Sequence, residues 1–162
     1  MKYLTDSDKE TINLGKKLGA LLFEGDVVAL VGDLGSGKTW FTKGLALGLG
    51  VGTDTVIPSP SFSLVNEYKG RCTFYHMDLY RLEDLSEVLY AGLEEYLQSG
   101  GVAVMEWADR WPEILPEHRI KVEIVIIDEN RRDITLSGQH PRAIDIIEEL
   151  RASNNEKKEQ SH

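Results

Sequence analysis

A chain of 162 residues with 41% apolar side chains can bury a real core but is too short for two sizeable domains. Its formal net charge of −9 argues against direct, non-specific binding of nucleic-acid phosphates. The single cysteine, Cys72, excludes an internal disulfide; with no apolar leader at residues 1–6 and no run near the ~20 residues of a membrane span, a cytoplasmic setting is expected.

Ser7-Asp8-Lys9-Glu10 has the form of a helix capping box, and Thr11, Leu14, Gly15, Leu18, Leu21 and Leu22 follow on one helical face. Gly25-Asp26 turns the chain into 27–31, an apolar Val-Val-Ala-Leu-Val run that reads as a buried strand. A helix is predicted over 40–49, closing on Gly48, Gly50 and Gly52. Pro58 and Pro60 stiffen the next loop. Residues 62–68 and 72–78 read as two strands joined at Lys69-Gly70-Arg71, an antiparallel hairpin. Cys72 has no Cys or His at ligand spacing and reads as a core residue.

Leu85, Val88, Leu89, Gly92, Tyr96 and Leu97 predict one amphipathic helix, ended by Gly100-Gly101. Residues 102–105 are short, apolar and β-prone, as in a buried parallel strand. Ile120, Val122, Ile124 and Ile126 alternate with polar residues in a half-exposed strand, which Asn130-Arg131 turns back into 133–136. Pro141 opens a last helix with Ile144, Ile147 and Leu150 on its face. These elements predict one domain over 1–152, followed by a polar, disordered tail over 153–162. The fold class expected is α/β: a P-loop NTPase-like three-layer sandwich whose mixed sheet has a parallel core and antiparallel hairpins.

The fold-class reading leans on residues 32–39, Gly-Asp-Leu-Gly-Ser-Gly-Lys-Thr, which fit G-x-x-x-x-G-K-[ST] between the first strand and its helix. In that context the glycines let backbone N–H groups turn inward around a polyphosphate. Lys38 reaches the outer phosphates, and the Thr39 hydroxyl can ligate Mg²⁺. Chemistry needs more: a carboxylate on the metal side and a group that orients water. Asp78 and Glu106 end predicted strands, where ligands bind in open α/β sheets, and either can take either role. His76 lies two residues before Asp78, on the same strand face. Ser59, Ser61 and Ser63 follow the proline-stiffened loop, where P-loop switches place a hydroxyl that senses the terminal phosphate. Trp40 and Trp111 read as core on composition; Trp107, directly after Glu106, is a candidate for the site or for a partner.

Four segments occur in order: 32–39, Ser-Pro-Ser-Phe-Ser-Leu-Val at 59–65, His-Met-Asp-Leu-Tyr-Arg-Leu at 76–82 and Glu-Trp-Ala-Asp-Arg at 106–110. Together they resemble the bacterial TsaE (YjeE) family of P-loop ATPases, over nearly the whole chain to about Ile147. Members act with TsaD and TsaB in forming N6-threonylcarbamoyladenosine (t6A37) in tRNA; ATP hydrolysis sustains turnover while TsaD transfers the threonylcarbamoyl group. The resemblance implies ATP contacts from Asp33, Leu34, Gly35, Ser36, Gly37, Lys38, Thr39 and Trp40, and Mg²⁺ ligation by Thr39 and Glu106. It makes Asp78 the organiser of catalysis or of the metal's water shell. It also implies a first-helix Thr and a late-hairpin Arg beside the nucleotide, best matched by Thr11 and Arg132. ADP is the product, tRNA is met through the partner subunits, and no membrane is involved. Many members have Thr-Tyr-Thr where this chain has Ser61-Phe62-Ser63, and another Thr where it has Trp40.

Two other functions compete. A small-molecule kinase needs a lid and clustered arginines, and between Asp78 and Glu106 the chain offers one, Arg81. A nucleotide-dependent binding switch of the GTPase kind needs D-x-x-G, but Asp78 continues Leu79-Tyr80-Arg81, and no N-K-x-D is present.

Overall fold

The computed structural model describes residues 1–60 and 63–160. Its strands are β1 (Lys2–Thr5), β2 (Val27–Gly32), β3 (Val65–Lys69), β4 (Thr73–Asp78), β5 (Val102–Glu106), β6 (Ile120–Ile126) and β7 (Arg132–Ser137). Its helices are α1 (Asp8–Gly19), α2 (Lys38–Gly48), α3 (Leu85–Tyr90), α4 (Leu93–Gln98) and α5 (Pro141–Gln160). The strands make one sheet in the order β1-β7-β6-β2-β5-β4-β3. The β6-β2-β5-β4 centre is parallel, and β1, β7 and β3 add antiparallel edges. The predicted mixed sheet is therefore present, with both hairpins in place.

Strand alternation sorts the side chains into two cores. Val28, Leu30, Val104, Val122 and Ile124 face α1, α2 and α5, together with Leu18, Phe41, Leu45 and Ile146. Val27, Ala29, Ala103 and Met105 face the other way, against Val88, Leu93, Trp111 and Ile114. At its N-terminus α1 is capped by Ser7, whose hydroxyl accepts the Glu10 N–H at 3.2 Å, while Glu10 reaches back to the Asp6 N–H. It then lies against α2 at glycines. A Cβ on Gly15 would meet the Phe41 carbonyl, and one on Gly44 the Ile12 carbonyl, so only hydrogen atoms fit there.

The structure differs from the sequence reading in several places. β1 was not anticipated, because four residues show too little alternation to register. The single helix expected across 85–97 is two, because Gly92 takes a left-handed φ of 71° and breaks the hydrogen-bond ladder. Gly48 lies inside α2, packed on Lys16 and Ala20 of the α1 end, and the left-handed residue after it is Gly50. β3 begins only at Val65, since Leu64 is also left-handed at φ 65°; Phe62 and Ser61 lie outside the described residues. Along α5 the buried residues are Ala143, Ile146, Ile147 and Leu150, whereas Ile144 is exposed.

The stretch read as a disordered tail over 153–162 instead continues α5 as far as Gln160. Its first turn is tied down: Lys17 Nζ donates to Asn154 Oδ1 at 2.8 Å, and the Ser153 hydroxyl to the Leu150 carbonyl. A helix already nucleated by a packed face propagates into polar sequence at little cost.

Candidate functional site

β2 lies between β6 and β5, and the loop at 32–39 leaves its C-terminal end to start α2. Gly35 and Gly37 have φ of 78° and 106°, which a side chain resists. Left-handed residues at this spacing turn successive N–H groups to one side, the geometry of an anion nest at a helix N-terminus. No side chain caps α2, so its first N–H groups stay open to a ligand.

Beside the loop is a cleft of about 440 Å³, lined by Leu34, Gly35, Gly37, Lys38, Thr39, Trp40, Ser59, Asp78, Tyr80, Glu106, Trp107 and Arg132. Larger hollows exist elsewhere, near β1 and near the start of α5, but they lack the loop and the strand-end acids. The topology explains this convergence. Asp78 and Glu106 are register partners across β4 and β5, and Glu106 is also level with Leu30 of β2. All three strands run the same way, so their C-terminal ends bring both acids to the loop.

The acidic and basic groups are buried together: Lys38, Asp78 and Glu106 are 6%, 7% and 3% exposed. Lys38 Nζ donates to the carbonyls of Gly32 and Asp33 at 2.6 and 2.9 Å, and lies 4.2 Å from the centre of the Trp107 ring. Burial pushes its pKa below the ordinary lysine value, against the opposing pull of Glu106, Asp78, Asp33 and Asp109. Asp78 accepts the Ser59 hydroxyl at 2.6 Å on Oδ2 and the Tyr80 N–H at 3.0 Å on Oδ1. Glu106 Oε2 meets His76 Nε2 at 2.5 Å.

Aromatic rings close one wall. Trp107 packs against Tyr80 with ring centres 5.0 Å apart and planes tilted by 45°, and its backbone is left-handed at φ 62°. A left-handed conformation is costly for such a bulky residue; here it turns the chain abruptly after Glu106 and lays the indole over Lys38. On the opposite side Arg132 donates from Nε to the Ser36 carbonyl at 2.8 Å, tying β7 to the loop.

Of the site residues expected from sequence, Leu34, Gly35, Gly37, Lys38, Thr39, Trp40, Asp78, Glu106 and Arg132 line this cleft. Asp33 and Ser36 contribute through their carbonyls, to Lys38 and Arg132. Thr11 stands apart from the lining residues: buried in α1, its hydroxyl is 2.8 Å from that of Thr5, the register partner of Arg132. Ser63 bonds Asn66 away from the cleft, and Cys72 is half-buried with its thiol pKa raised by burial. Tyr80 was not singled out from sequence; lying two residues after Asp78, it carried no separate signal.

The donor set suits a hard divalent cation shared with phosphates. Among the described residues no three His, Cys, Asp or Glu side chains make a cage by themselves. The cleft offers instead two carboxylates, Asp78 and Glu106, and the Thr39 hydroxyl at the start of α2. Mg²⁺ takes few protein ligands and completes its shell with water and phosphate oxygens.

A parallel-centred sheet with this loop between β2 and α2, and strand-end acids beside it, defines a P-loop fold. The family model described as threonylcarbamoyl adenosine biosynthesis protein TsaE matches residues 5–134, and the chain belongs to that family. It is 42% identical to the tRNA threonylcarbamoyladenosine biosynthesis protein TsaE of Treponema pallidum, over 85% of this chain and 100% of the relative. It is 41% identical to the Bacillus subtilis protein of the same name, over 96% of each. The crystal structure of Bacillus subtilis YdiB is also similar, with a TM-score of 0.82 and 36% identity, covering 95% of both chains.

Proposed function

We propose that this chain binds ATP with Mg²⁺ in the cleft beside 32–39 and hydrolyses it to ADP, driving turnover in t6A37 formation in tRNA with TsaD and TsaB. The observation that carries the reading is the burial of Lys38, Asp78 and Glu106 in one cleft at a P-loop, in a chain of the TsaE family.

The loop N–H groups over 33–39, apart from that of Ser36, which donates to the Asp33 carbonyl, donate to the phosphate oxygens. Lys38 exchanges its two carbonyl partners for the outer phosphates. Thr39 and Glu106 would hold Mg²⁺, which neutralises charge on the phosphate chain when bound. Asp78, fixed from two sides by Ser59 and the Tyr80 N–H, orients the attacking water or the water around the metal. Arg132 holds the loop and flanks the base, with the Thr5–Thr11 pair supporting its strand. Trp40 and Leu34, both substantially exposed, form the rim.

The net charge of −9 fits a subunit that reaches tRNA through its partners. Among the described residues no helix is long and apolar enough to cross a membrane, in keeping with work beside tRNA in the cytoplasm. The kinase alternative is not favoured, because the segment between Asp78 and Glu106 folds into two short helices with one arginine. The test is to follow phosphate release and tRNA modification with TsaD and TsaB, with and without this chain. Modification that continues over many turnovers in its absence overturns the reading.

A further inference from the structure

His76 lies behind the cleft, and the proposed chemistry leaves it without a task. It is fully buried, and it is the partner of Glu106, at 2.5 Å. We propose that His76 is a positioning residue: its imidazole fixes the Glu106 carboxylate so that one oxygen stays aimed at the metal side of the cleft. The inference rests on the reading of Glu106 as the metal-side carboxylate.

The sheet register produces the contact. On β4 alternate residues share a face, so His76 and Asp78 lie on the same side as Phe74, which packs in the core with Phe41 and Leu45 of α2. Asp78 is level with Glu106, and His76 is level with Val104 one step below. The imidazole therefore reaches Glu106 diagonally, from beneath, and touches Oε2 alone. An ionised carboxylate only accepts hydrogen bonds, so a metal-holding Glu106 requires the tautomer in which Nε2 carries the proton and donates it. Oε2 is thereby committed to the protein and Oε1 is left for the cleft. A glutamate has three rotatable side-chain bonds, and this bond removes the freedom that would let its carboxylate turn away.

The other side of the ring supports this role. His76 Nδ1 is buried and has no hydrogen-bond partner. A leucine there would pack among Phe74, Val102 and Val104 without burying an orphaned nitrogen, which is destabilising. A histidine placed for packing alone would be a poor choice. What the ring supplies that leucine does not is the Nε2 donor. Partners that orient a metal-side ligand in this way are worth about 10- to 100-fold in metal affinity.

The experiment uses the full-length chain and compares wild type with His76→Leu, His76→Gln and Glu106→Gln. Binding of a fluorescent, non-hydrolysable ATP analogue is titrated against Mg²⁺, and melting temperature is recorded for each variant. Glutamine places an amide N–H near the position of Nε2; leucine has none. The expected result is a rise of about 10- to 100-fold in the Mg²⁺ half-point for His76→Leu, with metal-free analogue affinity unchanged. His76→Gln should recover most of that shift, even if its melting temperature falls as far as that of His76→Leu. If Glu106→Gln moves the half-point and His76→Leu does not, His76 is only a core residue and the inference is wrong. If Glu106→Gln does not move it either, the metal-side reading of Glu106 falls and takes the inference with it. Should His76→Leu fail to fold, His76→Asn, whose amide stops short of the Nε2 position, takes its place in the comparison.

Discussion

Asp78 and Glu106 stand opposite one another across two parallel strands, yet they are held by unlike donors. Asp78 takes a loop hydroxyl and a backbone N–H, on separate oxygens. Glu106 takes one imidazole on a single oxygen. Equal placement in the sheet thus yields one carboxylate engaged at both oxygens and one with an oxygen to spare. This inequality is the physical basis for giving them different work.

Ser59 is where that difference is most easily probed. Its hydroxyl bonds a buried carboxylate, and hydrogen bonds to charged groups are worth about 1.5–3 kcal/mol. Ser59→Ala should leave the phosphate-binding loop intact, since Ser59 bonds none of its atoms. We expect ADP affinity within about twofold of wild type and a slowed hydrolytic step, by about 10-fold or more. Single-turnover kinetics beside calorimetric ADP binding separate the two. A Ser59→Ala protein with an unchanged single-turnover rate means that Asp78 does not need its loop contact.

The loop, the strands that carry it and the two acids were all legible in the sequence, because each depends on local pattern. A buried strand, a glycine spacing and a charged residue at a strand end need no knowledge of distant contacts. Trp107 was harder to place, since nothing local says that a tryptophan will adopt a left-handed φ and cover a lysine 69 positions earlier. Gly92 illustrates the opposite error. Its position fits helical periodicity, but the same residue type permits the φ that splits the helix. β1 and the far end of α5 depend on tertiary partners, β7 and Lys17, that no window of sequence contains.

Gly44 tests the α1–α2 contact that supports the loop from behind. In an isolated helix alanine is better than glycine by about 1 kcal/mol. Here a Cβ would fall on the Ile12 carbonyl and crowd the Gly15 Cα. Gly44→Ala should therefore destabilise, by about 1–3 kcal/mol after the propensity gain. Gly52→Ala, where the nearest atom is 3.5 Å away, should be close to neutral. Urea denaturation of both variants decides it; a stabilised Gly44→Ala would mean that the helices can separate without loss.

The C-terminal extension of α5 gives a sharper expectation than its composition does. Truncation after Leu150 removes Asn154 from Lys17 and Ser153 from the end of the packed face. Both bonds are partly exposed, so the loss should be about 1 kcal/mol or less each. In the full-length chain, protection from amide hydrogen exchange should fall off gradually along 151–160. Random-coil exchange from 151 onward would refute the extended helix.

Lys38 sets the pH dependence of nucleotide binding, and the sign follows from its surroundings. In the free protein burial lowers its pKa from 10.5, and the nearby acids only partly offset that. Arriving phosphate oxygens supply negative charge and hydrogen-bond acceptors, so the bound-state pKa is higher than the free one. Binding therefore takes up protons in the interval between the two. Below the free-state pKa, Lys38 is already charged and affinity is at its full value. As pH rises through that lowered pKa, affinity for ADP should fall, with a limiting slope of about one log unit per pH unit. Calorimetric titrations in buffers of different ionisation enthalpy, at pH values from about 7 to about 10, measure both the affinity and the proton uptake. Lys38→Met should lose about 1.5–3 kcal/mol of binding at neutral pH and should show no alkaline fall. Should the Lys38→Met variant retain the same fall, the titrating group lies elsewhere, and Lys38 is not the residue that meets the phosphates.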